Sequence, residues 1–217
     1  MCWSPKEDTL HYKSYDKLSG PKNPHKSKIG ISSIVPSIYD PLGILQPYII
    51  EGKMLLQSAW CYTGEDERGL DWDDPLPKEI ENDFQSWLEK LKMASKLQMV
   101  RYLFHELTEP PTPENLFLHV FSDAAVKAYG IVAYVRYYCA KQKQFLSKVI
   151  YSCTRITHAI AKLYIPKMEL NGLLLACQIA EYLRKILNIN REGEYVHCDS
   201  LVSLFWVKHS PNKLNIY

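Results

Sequence analysis

Asp123, Glu169 and Asp199 are carboxylates set where three different segments end or begin. Asp123 closes the apolar run that starts at Leu116, Glu169 stands in the first turn of a helical pattern opened by Pro166, and Asp199 follows Tyr195-Val196-His197-Cys198. They are 46 and 30 residues apart, and no acidic residue lies between the first and the second. Taken singly, such acids form turns, favour helix starts or cap helices. Taken together, three unneutralised carboxylates in one cluster repel and shift one another's ionisation, so the arrangement makes sense as a cation holder. Mg²⁺ suits it: the ion is hard, oxygen-seeking and held by few carboxylates with substrate phosphate completing the shell. Two such ions about 3.5–4 Å apart would activate a water and stabilise a leaving 3′ oxygen in an in-line displacement on a phosphodiester.

Convergence of the three acids requires particular elements. Leu116 to Asp123, Gly130 to Tyr138 and Lys148 to Cys153 are rich in Val, Ile, Phe and Tyr and read as strands. A long helix follows Pro166, with Leu170, Leu173, Leu174, Cys177, Ala180 and Ile186-Leu187 on a broad apolar face. Tyr195 to Asp199 reads as a fourth strand, and Ser200 is placed to cap a helix through Leu204, Phe205 and Trp206. The order β-β-β-α-β-α predicts a mixed sheet in which one strand returns by a helical crossover. Adjacent parallel strands that end together, with a helix start laid across them, would gather the acids.

The preceding region follows a different period. Residues 1–27 are polar, hint at a strand only over Thr9 to Tyr12, and read as a connecting arm. Residues 28–107 are helical in pattern, with a Pro/Gly turn at Ile38-Tyr39-Asp40-Pro41-Leu42-Gly43 and a helix from about Gln46 to Trp60. Ile80, Phe84, Trp87, Leu88 and Leu91 then form one apolar stripe whose role is core packing. Glu109-Pro110-Pro111-Thr112-Pro113-Glu114 cannot continue a helix, so residues 108–115 are read as a linker.

The net charge of +2 averages over two unlike stretches. Ten acids between Glu65 and Glu89 face only Arg68 and Lys78. From Ala124 to Met168 there is no acid, against Lys127, Arg136, Lys141, Lys143, Lys148, Arg155, Lys162 and Lys167, which are candidates for holding a polyanion's backbone. Six cysteines lie scattered without a C-x-x-C pair, so no zinc ribbon or disulfide framework is indicated. No run is long and apolar enough for a membrane span and no signal-peptide core is present, which predicts a soluble, intracellular chain without a membrane partner.

Phe121-Ser122-Asp123-Ala124, Ile165-Pro166-Lys167-Met168-Glu169-Leu170 and Cys198-Asp199-Ser200 resemble the first three acidic motifs of the ribonuclease H domain in Pao (BEL) type LTR retrotransposon polyproteins. Upstream, Ile38-Tyr39-Asp40-Pro41-Leu42-Gly43, Lys53-Met54-Leu55-Leu56-Gln57 and Leu70-Asp71-Trp72-Asp73-Asp74-Pro75-Leu76-Pro77 are similar to the segment that follows the reverse-transcriptase palm in that family. The resemblance implies an α/β chain: a helical thumb- or connection-like segment at 28–107, then a ribonuclease H-like mixed sheet with flanking helices at 116–217, with residues 1–27 at the edge of the palm. It implies Mg²⁺ ligation by Asp123, Glu169 and Asp199, two ions in an intact site, and hydrolysis of RNA in an RNA/DNA hybrid. The partners it implies are the hybrid and the fingers and palm of a parent polyprotein.

The chain departs from the family pattern at Cys198, where a small hydroxyl residue is common, and at Ala125, where Ser is common. Neither change removes a carboxylate. The resemblance also implies a fifth strand, further helices and a fourth acidic or His ligand beyond Tyr217, so the ribonuclease H-like part is expected to be C-terminally truncated. No Asp-Thr-Gly or Asp-Ser-Gly signature of an aspartic peptidase occurs. Three readings therefore stand: a metal-dependent nuclease, a noncatalytic nucleic-acid-binding or polymerase-docking remnant without turnover, and a nonfunctional fossil that does not fold well by itself.

Overall fold

The computed structural model describes residues 1–12, 27–64, 68–94, 96–105, 107, 111–139, 141, 143–157 and 165–209. The chain divides into two compact units, Met1–Leu103 and Phe104–Tyr217.

In the first unit, three helices bury their apolar faces on one another: α1 (Lys28–Ser37), α2 (Gln46–Cys61) and α3 (Lys78–Ala94). The predicted stripe of α3 supplies the centre, with Phe84, Trp87, Leu88 and Leu91 buried and Ile80 packed at the margin. Trp87 also donates its indole N–H to the Tyr48 carbonyl at 2.7 Å, so its one polar group is satisfied where it is buried. The turn between α1 and α2 is built by Asp40, whose carboxylate accepts from the backbone N–H of Ile44 (3.0 Å) and Leu45 (2.9 Å) and from the Tyr12 hydroxyl. Gly43 takes the left-handed conformation there, φ 77°, which its lack of a Cβ permits.

The first residues belong to this unit as strands. β1 (Cys2–Ser4) and β2 (Thr9–His11) pair antiparallel, and β2 pairs with β3 (Gln98–Val100), a strand that the helical reading of 28–107 did not anticipate. Three-residue strands carry too little alternation to be read from a sequence. Asp8 closes this sheet, accepting from the Arg101 guanidinium at 2.6 Å and from the Trp3 indole at 3.0 Å.

The second unit is a four-stranded mixed sheet with helices. β4 (Leu116–Ala124), β5 (Ala128–Cys139) and β6 (Gln144–Ile156) form an antiparallel meander. α4 (Ile165–Ile186) crosses one face, β7 (Glu194–Cys198) returns parallel to β4, and α5 (Leu201–Lys208) follows. The spatial order is β6-β5-β4-β7. Leu118 and Val120 of β4 and Ala133 and Val135 of β5 point to the α4 side and are buried with Ala176 and Ala180 of the helix. The order of elements, the crossover and the Ser200 cap, which accepts from the Ser203 N–H at 3.3 Å, all follow the sequence expectation. The architecture is mixed α/β of ribonuclease H-like type.

The other face of the sheet carries rings. His119, Phe121, Tyr134, Tyr195 and His197 lie on it, with His119 stacked between Tyr195 (4.9 Å) and His197 (5.3 Å) and Phe121 stacked on His197 at 4.4 Å. Among the described residues no helix is long and apolar enough to cross a membrane.

Candidate metal centre

The parallel register of β4 and β7 sets the site. Ser122 is opposite Cys198, so the residues that follow, Asp123 and Asp199, leave neighbouring strands side by side. The first turns of α4 lie over this end of the sheet, where a Cβ added at Gly172 would stand 3.8 Å from the Asp123 carbonyl oxygen and the Ser122 Cβ. Met168 is 1% exposed, and Glu169 beside it lies close enough to Asp199 and Asp123 to feel the charge of both.

The acids are not equivalent. One ligand atom from each of Glu169, Cys198 and Asp199 lies within 4.8 Å of the other two. Asp123 stands outside that group, and its Oδ1 accepts from the Ala124 N–H at 2.7 Å. It is still close enough to act on Glu169: burial first, then the charges of Asp199 and Asp123, hold the Glu169 carboxyl above the ordinary range for a glutamate. Glu169 Oε2 is shut off from solvent and has no hydrogen-bond partner. A buried carboxylate oxygen without a donor is costly unless a cation answers it. The donor set fits a divalent ion on that ground, with Glu169 and Asp199 as ligands, Cys198 as a third donor and Asp123 beside them.

Cys198 is the member that sequence reasoning passed over. Alternation along β7 puts His197 on the ring-bearing face and Cys198 on the α4 face, which argues against a His197–Cys198 pair sharing one ion. Cys198 pairs with Ser122 under the start of α4, and its thiol lies in the group that Glu169 and Asp199 form. The signal was the position itself, one residue before the third acid.

The basic stretch is divided by the hairpins. Lys127, in the β4–β5 turn, and Arg155, opposite Tyr129, lie exposed at the same end of the sheet as the acids, and Lys167 is exposed in the first turn of α4. Lys141 and Lys143 lie at the β5–β6 hairpin, nine residues along β5 from Gly130, or about 30 Å away at strand rise. Lys148 and Arg136 sit part of the way between, Lys148 opposite Val135 and Arg136 with its guanidinium 3.7 Å from the Phe145 ring centroid. Lys162 lies outside the described residues.

A family profile described as the Pao retrotransposon-like RNaseH-like domain matches residues 27–200. No curated protein matches the sequence. Two solved structures of a foamy viral protease–reverse transcriptase in complex with double-stranded DNA align at 15% identity and a TM-score of 0.39. The alignments cover 89% and 88% of this chain but 32% and 36% of those chains, so the chain spans about a third of their length.

Proposed function

The chain belongs to the family of Pao retrotransposon-like ribonuclease H-like domains, and from that premise we propose that its C-terminal unit serves divalent-cation-dependent hydrolysis of the RNA strand in RNA/DNA hybrids within a retrotransposon pol polyprotein. Within it, residues 116–217 are the ribonuclease H-like part, 28–107 a thumb- or connection-like segment and 1–27 the edge of a palm, joined by a linker at 108–115. The observation that carries the reading is Glu169 Oε2: a carboxylate oxygen buried without a donor, beside Asp199 and under the charge of Asp123.

Glu169 and Asp199 hold the cation in this reading, and Asp123 joins them when substrate phosphate is present. Mg²⁺, when bound, supplies charge for the scissile phosphate and lowers the pKa of a bound water. Lys127, Arg155 and Lys167, at the acid end of the sheet, contact the backbone of the hybrid, while recognition of 2′-hydroxyls selects RNA over DNA. The test is cleavage of a labelled RNA/DNA hybrid with Mg²⁺. Expected is cleavage of the RNA strand alone, abolished by chelation and by Asp123→Asn; a variant that cleaves at the unaltered rate removes Asp123 from the site.

One observation favours a second reading, binding without turnover. Asp123 lies outside the close ligand group, so the described residues bring three donors together and one of them is a thiol. That reading expects hybrid binding that weakens steeply with salt and no cleavage at any Mg²⁺ concentration.

A further inference from the structure

The two faces of the C-terminal sheet are built from different side chains. Against α4 they are aliphatic, with Leu118, Val120, Ile131, Ala133 and Val135 all buried. The far face carries rings instead. Tyr195, His119, His197 and Phe121 stand in one near-parallel stack, with angles of 11°, 16° and 13° between successive planes. His119 Nδ1 and His197 Nε2 lie 3.0 Å apart, so a hydrogen bond fixes the middle of that stack. Tyr134 meets Phe121 edge-on at 5.8 Å. Beside these rings lies a cavity of about 540 Å³ that reaches across the sheet to Arg136, Phe145 and Ser147. Arg136 holds its guanidinium 3.7 Å from the Phe145 ring centroid and makes no ion pair among the described residues. Among those residues the lining contains no carboxylate, and Val132 is its one aliphatic side chain.

We propose that this face binds unpaired nucleotides of a single nucleic-acid strand, with bases stacking on Phe121, Tyr134 and Phe145 and a phosphate meeting Arg136. Side-chain type selects that occupant. A protein segment packs on aliphatic side chains, as α4 does on the opposite face, and covering Arg136 with apolar groups would strand an unanswered charge. Rings offer flat π surfaces that every base can match, and a guanidinium with no acid near it complements a phosphate. The cavity falls within the range of about 300–1,000 Å³ that suits ligands of nucleotide size. A duplex keeps its bases stacked inside and gains little from such a surface. Position agrees: Asp123 follows Phe121 by two residues on β4, about 7 Å at strand rise, so a strand leaving the acid end would run on to the rings. That last step rests on the nuclease reading, whereas the stacking surface itself uses none of the acids.

The experiment is fluorescence anisotropy of the full chain with a fluorescein-labelled single-stranded DNA oligonucleotide, in chelator so that no metal contributes. An abasic oligonucleotide of equal length and a blunt RNA/DNA hybrid serve as comparisons. Expected is binding of the base-bearing strand about 10-fold or more tighter than of the abasic one, since each stacked base contributes about 5- to 100-fold. Phe121→Ala and Phe145→Ala should each weaken single-strand binding by about 5-fold or more and leave hybrid affinity unchanged. Arg136→Gln should lower the slope of log affinity against log salt by about 0.7, the share of one phosphate contact on a single strand. The two phenylalanines are 42% and 48% exposed, so their removal should leave the fold intact. Equal binding of the abasic and base-bearing strands overturns the proposal, as does single-strand binding that ignores Phe145→Ala. A concentration-dependent dimer that Phe121→Ala dissolves also overturns it, since the face would then be a protein interface. If the circular dichroism of Phe121→Ala shows that it has not folded, the Phe145→Ala affinity and the abasic comparison on the unaltered chain still decide. Failure of hybrid cleavage with base-dependent binding intact counts against the nuclease reading alone; cleavage without base-dependent binding counts against this one alone.

Discussion

In the N-terminal unit Asp8 meets Arg101 at 2.6 Å, Asp74 meets Arg68 at 2.8 Å and Glu51 meets Lys90 at 3.0 Å. In the C-terminal unit Glu169 and Asp199 meet each other and a thiol. Even there the contrast is local, because Glu194 on β7 is paired with Arg184 of α4 at 2.8 Å. A carboxylate whose charge is answered by the chain is part of the scaffold. One surrounded by its own kind needs a partner that the chain does not supply, and that need, more than the residue type, marks a site.

The largest test of the contrast is Glu169→Gln. Charge stabilisation by a bound metal is worth several kcal/mol of barrier, so its loss should lower hybrid cleavage by about 10³-fold or more, while the thermal midpoint of the metal-free chain does not fall. A variant that loses cleavage only because it has unfolded would place Glu169 with the scaffold acids instead. Asp40→Ala is the counterpart in the first unit. It removes the acceptor of two backbone N–H groups and of the Tyr12 hydroxyl, at a cost of about 2–3 kcal/mol in denaturant unfolding. An effect under about 0.5 kcal/mol would mean that the turn holds without it.

Smaller is the effect of Arg184→Met. The pair it breaks is partly enclosed, with side-chain exposures of 24% and 19%. Exposed pairs are worth little and buried ones leave a costly orphan charge, so about 1–2 kcal/mol is expected by denaturant titration. If Glu194 were instead part of the cation site, Arg184→Met would strengthen Mg²⁺ binding and leave stability nearly unchanged.

How far this contrast was readable in the sequence differs between the units for physical reasons. The second unit was legible almost element by element, because its strands are long enough to show β-branched and aromatic runs and α4 is long enough to show its apolar face. The acids were legible as strand ends and a helix start, yet their unequal spacing was not, since it depends on the β4–β7 register and on the rotamers at Asp123 and Glu169. Cys198 was missed because a scattered cysteine reads as a small hydrophobe until its neighbours are known. In the first unit the helices were legible, with Asp40-Pro41-Leu42-Gly43 as punctuation between them. β1 and β3 were not, since a three-residue strand acquires its identity only from its partner. The single basic stretch between Ala124 and Met168 dissolved into separate ends of the sheet for a related reason: hairpins fold a run of like charges back on itself, and composition contains no hairpin.

The smallest effect is the most discriminating, because the two kinds of carboxylate predict opposite slopes of stability with pH. Asp8 is held below its ordinary range by hydrogen bonds from Arg101 and Trp3, and Asp74 by the Asp71 N–H and by Arg68. Each contributes stability that is present above the unfolded-state pKa and is lost as pH falls through the lowered folded value, so acidification below about pH 4 weakens the fold. Glu169 is held above its ordinary value by burial, Asp199 and Asp123, so in the window above about pH 4.3 the folded chain keeps a proton that the unfolded chain has released. Its contribution is present below the unfolded pKa and is lost as pH rises through the folded one. In chelator, the difference in thermal midpoint between Glu169→Gln and the unaltered chain should therefore grow with pH across that window. A saturating divalent cation should remove or reverse it, because the ion answers the charge that the substitution deletes. A difference that stays flat from pH 4 to 7 in chelator, or that ignores the cation, would mean that the Glu169 charge is already answered within the folded chain, and the distinction between scaffold and site carboxylates would no longer hold for this residue.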